Sequence, residues 1–184
     1  QTDTSKIFEQ NISGQVGAIT VGDYNGDGLL DFMFVTNMQD AAVYDKFRAV
    51  MYINCGTATD PMFKTYSNSP NLNFTTKFKN AGIYVRWTAN HMCSVDIDKD
   101  GDTDILFASE NKIFVLRNPG KSNWSLSKWT ISELSYNQRP GFPTGSLMGG
   151  SAIEAADFKH NGNLDIVVGS VENVDHLVYY SNDG

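Results

Sequence analysis

Asp23-Tyr-Asn-Gly-Asp-Gly-Leu-Leu-Asp31 is the stretch from which the rest of the chain can be read. Side-chain oxygens occupy its positions 1, 3, 5 and 9 (Asp23, Asn25, Asp27 and Asp31), and Gly28 occupies position 6. One apolar run enters it (Ala18–Val21) and another leaves it (Phe32–Val35). The phrase returns as Asp96-Ile-Asp-Lys-Asp-Gly-Asp-Thr-Asp104 and, altered, as Asp157-Phe-Lys-His-Asn-Gly-Asn-Leu-Asp165. Three copies, each between apolar runs, make the chain a repeat protein before anything else. The flanking runs are apolar on both faces, so each strand is expected to be buried on both sides.

Alternate oxygen donors on a tight loop suit a hard cation. Ca²⁺ takes six to eight oxygens at about 2.3–2.6 Å, and a glycine at position 6 permits the sharp turn that lets the donors converge. Two Ca²⁺ sites are expected. Asp23, Asn25, Asp27 and Asp31 supply side chains to the first, with the Leu29 carbonyl, and Asp96, Asp98, Asp100 and Asp104 supply the second, with the Asp102 carbonyl. The third copy offers Asp157, Asn161, Asn163 and Asp165, but Lys159 replaces an oxygen donor at position 3. Lysine has donors and no acceptor. Its ammonium is expected to stand in for the ion and pair with Asp157 and Asp165. An EF-hand would need a bidentate Glu at position 12 and flanking helices. Position 12 is Phe34, Phe107 or Val168, each in a β-rich run, which rejects that reading.

Taken in order, each unit reads strand, phrase, strand, then a strand ending in Asn54, Asn118 or Asn182. Residues 16–80 form the first unit, 81–135 the second and 136–184 the third. Further strands are expected at Lys6–Ile12, near Met62–Tyr66 and Asn73–Lys79, within Ala81–Thr88, and at Leu126–Leu134, with a long loop at Tyr136–Gly149. Four short antiparallel strands per unit is the grammar of a β-propeller blade, so the fold class is all-β. The third unit stops where its fourth strand should begin. Lys6–Ile12, within residues 1–15, matches Lys128–Leu134 in length and pattern, and is expected to complete a third blade in its own or a neighbouring chain.

The chain of 184 residues is long enough for a real core, and its 41% hydrophobic share is ordinary for a globular protein. A net charge of −7 argues against nucleic acid or an anionic membrane as the main partner. No apolar run approaches the roughly 18 residues of a membrane span. The chain begins at Gln1, which suits either a fragment boundary or a mature terminus after signal cleavage. Cys55 and Cys93 are too few for a disulfide framework, and Cys93, in an apolar run, reads as a buried thiol more readily than as half of a bridge. Asn11, Asn73 and Asn123 open N-glycosylation sequons, at a frequency expected by chance. His91, His160 and His176 lack partners at metal-ligand spacing, and His160 reads as a turn residue. No nucleophile or phosphate-loop motif occurs. Trp87, Trp124, Trp129, Tyr179 and Tyr180 would pack between blades or, on a second reading, stack on sugars.

The pattern Asp-x-[Asp/Asn]-x-Asp-Gly-x-x-Asp, followed at once by a short strand, resembles the FG-GAP (VCBS-type) repeat. The strand endings Val115-Leu-Arg-Asn-Pro-Gly120 and Val178-Tyr-Tyr-Ser-Asn-Asp-Gly184 are also similar to it. The resemblance implies Ca²⁺-binding blades like those of integrin α-subunit propellers, the ion lying in the loop between a blade's first two strands, and a secreted protein. This sequence departs from the family at Lys159 and in having three units, where rings hold about four to eight blades. Exposed sheet edges must then be met by a longer propeller, by two chains closing a six-bladed ring, or by strand donation from residues 6–12 into a filament. The expected function is a non-enzymatic, extracellular, Ca²⁺-stabilised structural or adhesion module with a protein or glycan ligand. The second reading is a carbohydrate-binding accessory domain of a secreted enzyme.

Overall fold

The computed structural model describes residues 15–37, 48–64, 73–83, 91–109, 112–134, 150–170 and 176–183. Eleven strands in these residues form three antiparallel sheets. The first runs β1 (Gln15–Gly22), β2 (Asp31–Asn37), β3 (Ala49–Asn54), β4 (Phe63–Lys64). The second runs β5 (His91–Val95), β6 (Asp104–Ser109), β7 (Lys112–Arg117), β8 (Thr130–Glu133). The third pairs β9 (Gly150–Ala156), β10 (Asp165–Ser170) and β11 (His176–Tyr180), with β10 central. Each is a meander in which sequential strands are neighbours, and none closes into a barrel. Each phrase is the turn between the first and second strands of its sheet.

The middle sheet is buried on both faces, as its apolar runs require. Every residue of β6 is buried. Strand alternation sends Ile105 and Phe107, beside their cross-strand partners Leu116 and Phe114, into a core with Met33, Val35, Met51, Ile53 and Trp129. Leu106 and Ala108, beside Val115 and Ile113, join Ile153, Ile166 and Val168 on the other side. Single-residue slips would exchange the two faces, so two complementary cores pin the register. β1 lies against β5 and β5 against β9. Between β1 and β5, Ser94 Oγ lies 2.7 Å from Thr20 Oγ1 and 2.6 Å from Tyr24 Oη.

Two expected strands are corrected. Asn73–Lys79 is not an edge strand: Asn73 makes one isolated bridge to Val50, and Thr75–Asn80 is a short helix, α1. Alternation would bury Phe74, Thr76 and Phe78 together. Instead Phe74, Thr75 and Phe78 are buried while Thr76 is exposed, the i, i+1, i+4 pattern of a helix. Thr75 Oγ1 there accepts the Ala49 N–H at 3.1 Å. Leu126–Leu134 keeps only β8 as strand. A 3-10 turn at Lys121–Asn123 and a turn closed by Lys128 N–H on the Ser125 carbonyl precede it and swing Trp129 inward. The ring is 1% exposed and meets Phe74 and Tyr24 edge-on, at centroid distances of 5.5 and 6.3 Å.

The strand near Met62–Tyr66 is present as β4, with Tyr66 outside the described residues. The strands expected at Lys6–Ile12 and beyond Ile83, and the loop at 136–149, also lie outside them. Cys55 and Cys93 are free thiols. Cys93 is buried on β5, and burial pushes its pKa up to about 12, which keeps it inert.

Candidate metal centre

The three phrases build one backbone scaffold. The position 1 carboxylate accepts the N–H groups of positions 5 and 6: Asp23 from Asp27 and Gly28, Asp96 from Asp100 and Gly101, Asp157 from Asn161 and Gly162, all at 2.8–3.1 Å. The position 5 oxygen accepts the position 7 N–H: Asp27 from Leu29, Asp100 from Asp102, Asn161 from Asn163, at 2.8–2.9 Å. Gly28, Gly101 and Gly162 hold φ of 87°, 93° and 82°, where a side chain would be strained. Position 4 is left-handed too, and two copies place ordinary residues there, Lys99 at 62° and His160 at 54°. His160 is thus the turn residue expected of it.

Position 9 is a staple. Asp31, 0% exposed, accepts the Tyr24 N–H at 3.1 Å and the Asn54 N–H at 2.8 Å. Asp104 accepts Ile97 N–H at 3.2 Å and Asn118 N–H at 2.7 Å. Asp165 accepts Asn182 N–H and the Tyr179 hydroxyl, both at 2.7 Å. Each carboxylate therefore ties the backbone at or just past the end of its sheet's third strand to the phrase. The backbone N–H supplies this bond. The Asn54 and Asn118 side chains are used elsewhere, each accepting from the glycine two residues on, Gly56 and Gly120.

The loops are also joined to one another. Asn118 Nδ2 donates to the Tyr24 carbonyl at 2.8 Å and the Thr103 carbonyl at 3.0 Å, joining the first two phrases. Lys121 Nζ reaches the Gly26 carbonyl, and Lys99 Nζ donates to Asn163 Oδ1 at 2.9 Å. Periodicity reveals none of these links. Recurrence of an Asn at the same place in each unit was the one signal in the sequence.

What stands inside each loop differs. In the second, carboxylate oxygens of Asp96, Asp98 and Asp104 lie within 4.8 Å of one another, a trio that could hold an ion. Asp98 also meets Arg117, Nη1 to Oδ2, at 2.6 Å. In the first, Asn25 lies against Asp27, donating from Nδ2 to Oδ2 and accepting the Asp27 N–H on Oδ1, both at 3.0 Å. In the third, Lys159 pairs with Asp183 and Ser181, just past β11, rather than with Asp157 and Asp165 as expected. Asp157 there accepts two backbone N–H groups, and Asp165 a backbone N–H and a phenol. The first two phrases both offer oxygen donors only, several formal charges and a preformed turn, but among the described residues it is the second that gathers three carboxylates closely enough to hold an ion. The third places an ammonium where a donor is needed.

Burial pushes Asp31 and Asp104 up to about 6 against the partial relief of their backbone N–H partners, and the neighbouring phrase aspartates add to the rise. Asp165, also buried, is held below the usual carboxylate range, first by the Asn182 N–H. Of the sequons, Asn73 and Asn123 are exposed and Asn11 lies outside the described residues. Of the aromatics offered to sugars, Trp129 is core, Trp124 packs partly against it, and Tyr179 is exposed on β11. Among the described residues no helix is long and apolar enough to cross a membrane.

Comparison with curated proteins finds no match. The family model described as FG-GAP-like repeat matches residues 96–168, from the first aspartate of the second phrase to the strand after the third. Over residues 96–168 the chain is similar to the FG-GAP-like repeat, and the all-β sheets and the shared loop scaffold are consistent with that match.

Proposed function

We propose that the chain is a non-enzymatic, Ca²⁺-stabilised structural or adhesion module of the extracellular space, its three sheets being consecutive propeller-type blades. The observation that carries this reading is the convergence of Asp96, Asp98 and Asp104 on a loop scaffold repeated in all three sheets. Bound Ca²⁺ would neutralise the carboxylates of the first two loops and cross-bridge them. The chain's own groups fix where those carboxylates point, through the N–H bonds of positions 5, 6 and 7. The blade reading is supported by the side-by-side first strands β1, β5 and β9 and by the face-to-face cores. Repeat similarity alone says little about ligand, so adhesion rests on this scaffold character.

Self-association belongs to the same reading. The outer face of the third sheet exposes Leu177 (76%), Phe158 (52%) and Tyr179 (46%), and β11 is the edge of a three-stranded sheet among the described residues. At the other end of the stack, β1 exposes Ile19 and Val21. Two unlike apolar ends suit head-to-tail contact, closing as a ring or extending as a filament. Light scattering in Ca²⁺ is expected to show mass above one chain, falling when Leu177 and Tyr179 are both replaced by serine. A monomer at every concentration would refute this part. Oligosaccharide quenching of tyrosine fluorescence with no change in mass would favour a carbohydrate-binding domain instead.

Protons and Ca²⁺ should compete. With Asp31 and Asp104 titrating at about 6, lowering the pH from 7 to 5 protonates both and should weaken Ca²⁺ binding about tenfold per site. The Ca²⁺-free protein should respond oppositely. A carboxyl whose folded pKa is raised adds stability below its unfolded value and loses it as pH climbs through about 6. Melting in chelator should therefore rise from pH 7 to 5, while melting in Ca²⁺ falls. Parallel trends in the two conditions would contradict the assignment.

A further inference from the structure

The three loops answer their own negative charge in three ways. The first uses a neutral amide, Asn25 on Asp27. The third has an ammonium at position 3, Lys159, which pairs past β11 with Asp183 and Ser181. The second carries a carboxylate at every odd position, and its charge is met from outside by Arg117, the last residue of β7 and the neighbour of the Asn118 that staples that loop. The equivalent residues are Ile53 before Asn54 and Ser181 before Asn182, neither of which carries charge. The guanidinium is therefore peculiar to the loop with the most carboxylates.

We propose that Arg117 is the resident counter-cation of the second loop, which Ca²⁺ must displace from Asp98, and that this residue sets the affinity of that site. The inference rests on the Ca²⁺ reading of the phrase given above. Both members of the pair are more than one third exposed, Arg117 at 38% and Asp98 at 40%. A half-exposed ion pair of this kind is weak, so a divalent ion can displace it. It is not free of cost, because a bound Ca²⁺ and a guanidinium a few ångströms away repel unless the arginine swings into solvent. Arg117 thus does two things with one charge. It relieves the crowded carboxylates while the loop is empty, and it lowers the loop's net attraction for the ion.

The test is calorimetric titration of Ca²⁺ into the whole chain and into Arg117→Gln, which removes the charge but keeps a polar side chain, and Arg117→Lys, which keeps the charge. The glutamine variant is expected to tighten one of two sites on the order of tenfold, to leave the other unchanged, and to melt lower in chelator. The lysine variant should stay close to the parent. In an Asp98→Asn background, Arg117→Gln should change Ca²⁺ affinity little, because the partner charge has gone. Ca²⁺ uptake by the parent with the same affinities in Arg117→Gln would overturn the inference alone. Absence of uptake by parent and variants would overturn it together with the Ca²⁺ reading beneath it.

Discussion

Asp104→Ala is expected to destabilise the chain by about 3 kcal/mol in chelator, and by more in Ca²⁺. The substitution strands two N–H groups, of Ile97 and Asn118, that the buried carboxylate now accepts. Each orphaned buried donor costs about 1–3 kcal/mol. Working against this, removal of one charge relieves repulsion from Asp98 and Asp100. Burial, not those neighbours, leads the upward push on the Asp104 pKa, so the relief is the smaller effect. The loss also reaches beyond one sheet, because Asn118 is held by Asp104 through its N–H and reaches Tyr24 of the first phrase through its side chain. Denaturant midpoints measured in chelator and in Ca²⁺ check this. A loss below about 1 kcal/mol in both conditions would mean that Asp104 is a ligand only and holds nothing together. Asp104→Asn should fall between, since one carboxamide oxygen can accept one of the two N–H groups.

The stapling role of position 9 shows where sequence reading stops. The spacing of oxygens at positions 1, 3, 5 and 9 points to a cation loop because such ligation would be local. Nine residues contain most of the donors, and glycine at position 6 reveals the turn. Both-sided burial of the middle strands is equally legible, since Ile105-Leu-Phe-Ala108 has no polar face to turn outward. Long-range partners are a different matter. That Asp31 bonds Asn54, or that Asn118 reaches Tyr24, follows from how meanders stack, and no periodicity encodes it. The helix α1 was read as a strand because Phe74 and Phe78 share a face at either period. Only the burial of Thr75 against the Ala49 N–H separates the two. Lys159 was recognised as a cation in place of a ligand, but its partners lie more than twenty residues away, beyond β11, where the sequence gives no reason to look.

The second large effect is that of Ca²⁺ itself. At a free concentration about a hundred times Kd, each independent site adds about 2.7 kcal/mol, so two sites add about 5 kcal/mol. For a chain of this size a gain of 1 kcal/mol raises the melting temperature by about 2–4 °C, so saturation should shift it by about 10–20 °C. The reason lies in the loops. Asp23, Asp27 and Asp31 in the first, and Asp96, Asp98, Asp100 and Asp104 in the second, concentrate charge of one sign in a chain of net charge −7. Only Arg117 answers the second from a described side chain. Mg²⁺ should substitute poorly, because it demands near-ideal octahedral geometry and dehydrates reluctantly.

Counting the ions tests the central claim most directly. Calorimetric titration of the metal-free chain, with stoichiometry confirmed by native mass spectrometry, is predicted to give two Ca²⁺ per chain, and still two in Lys159→Ala. A third ion in the parent chain would show that Lys159 does not fill its loop, and no bound ion would show that the repeated phrase holds its shape by hydrogen bonds alone.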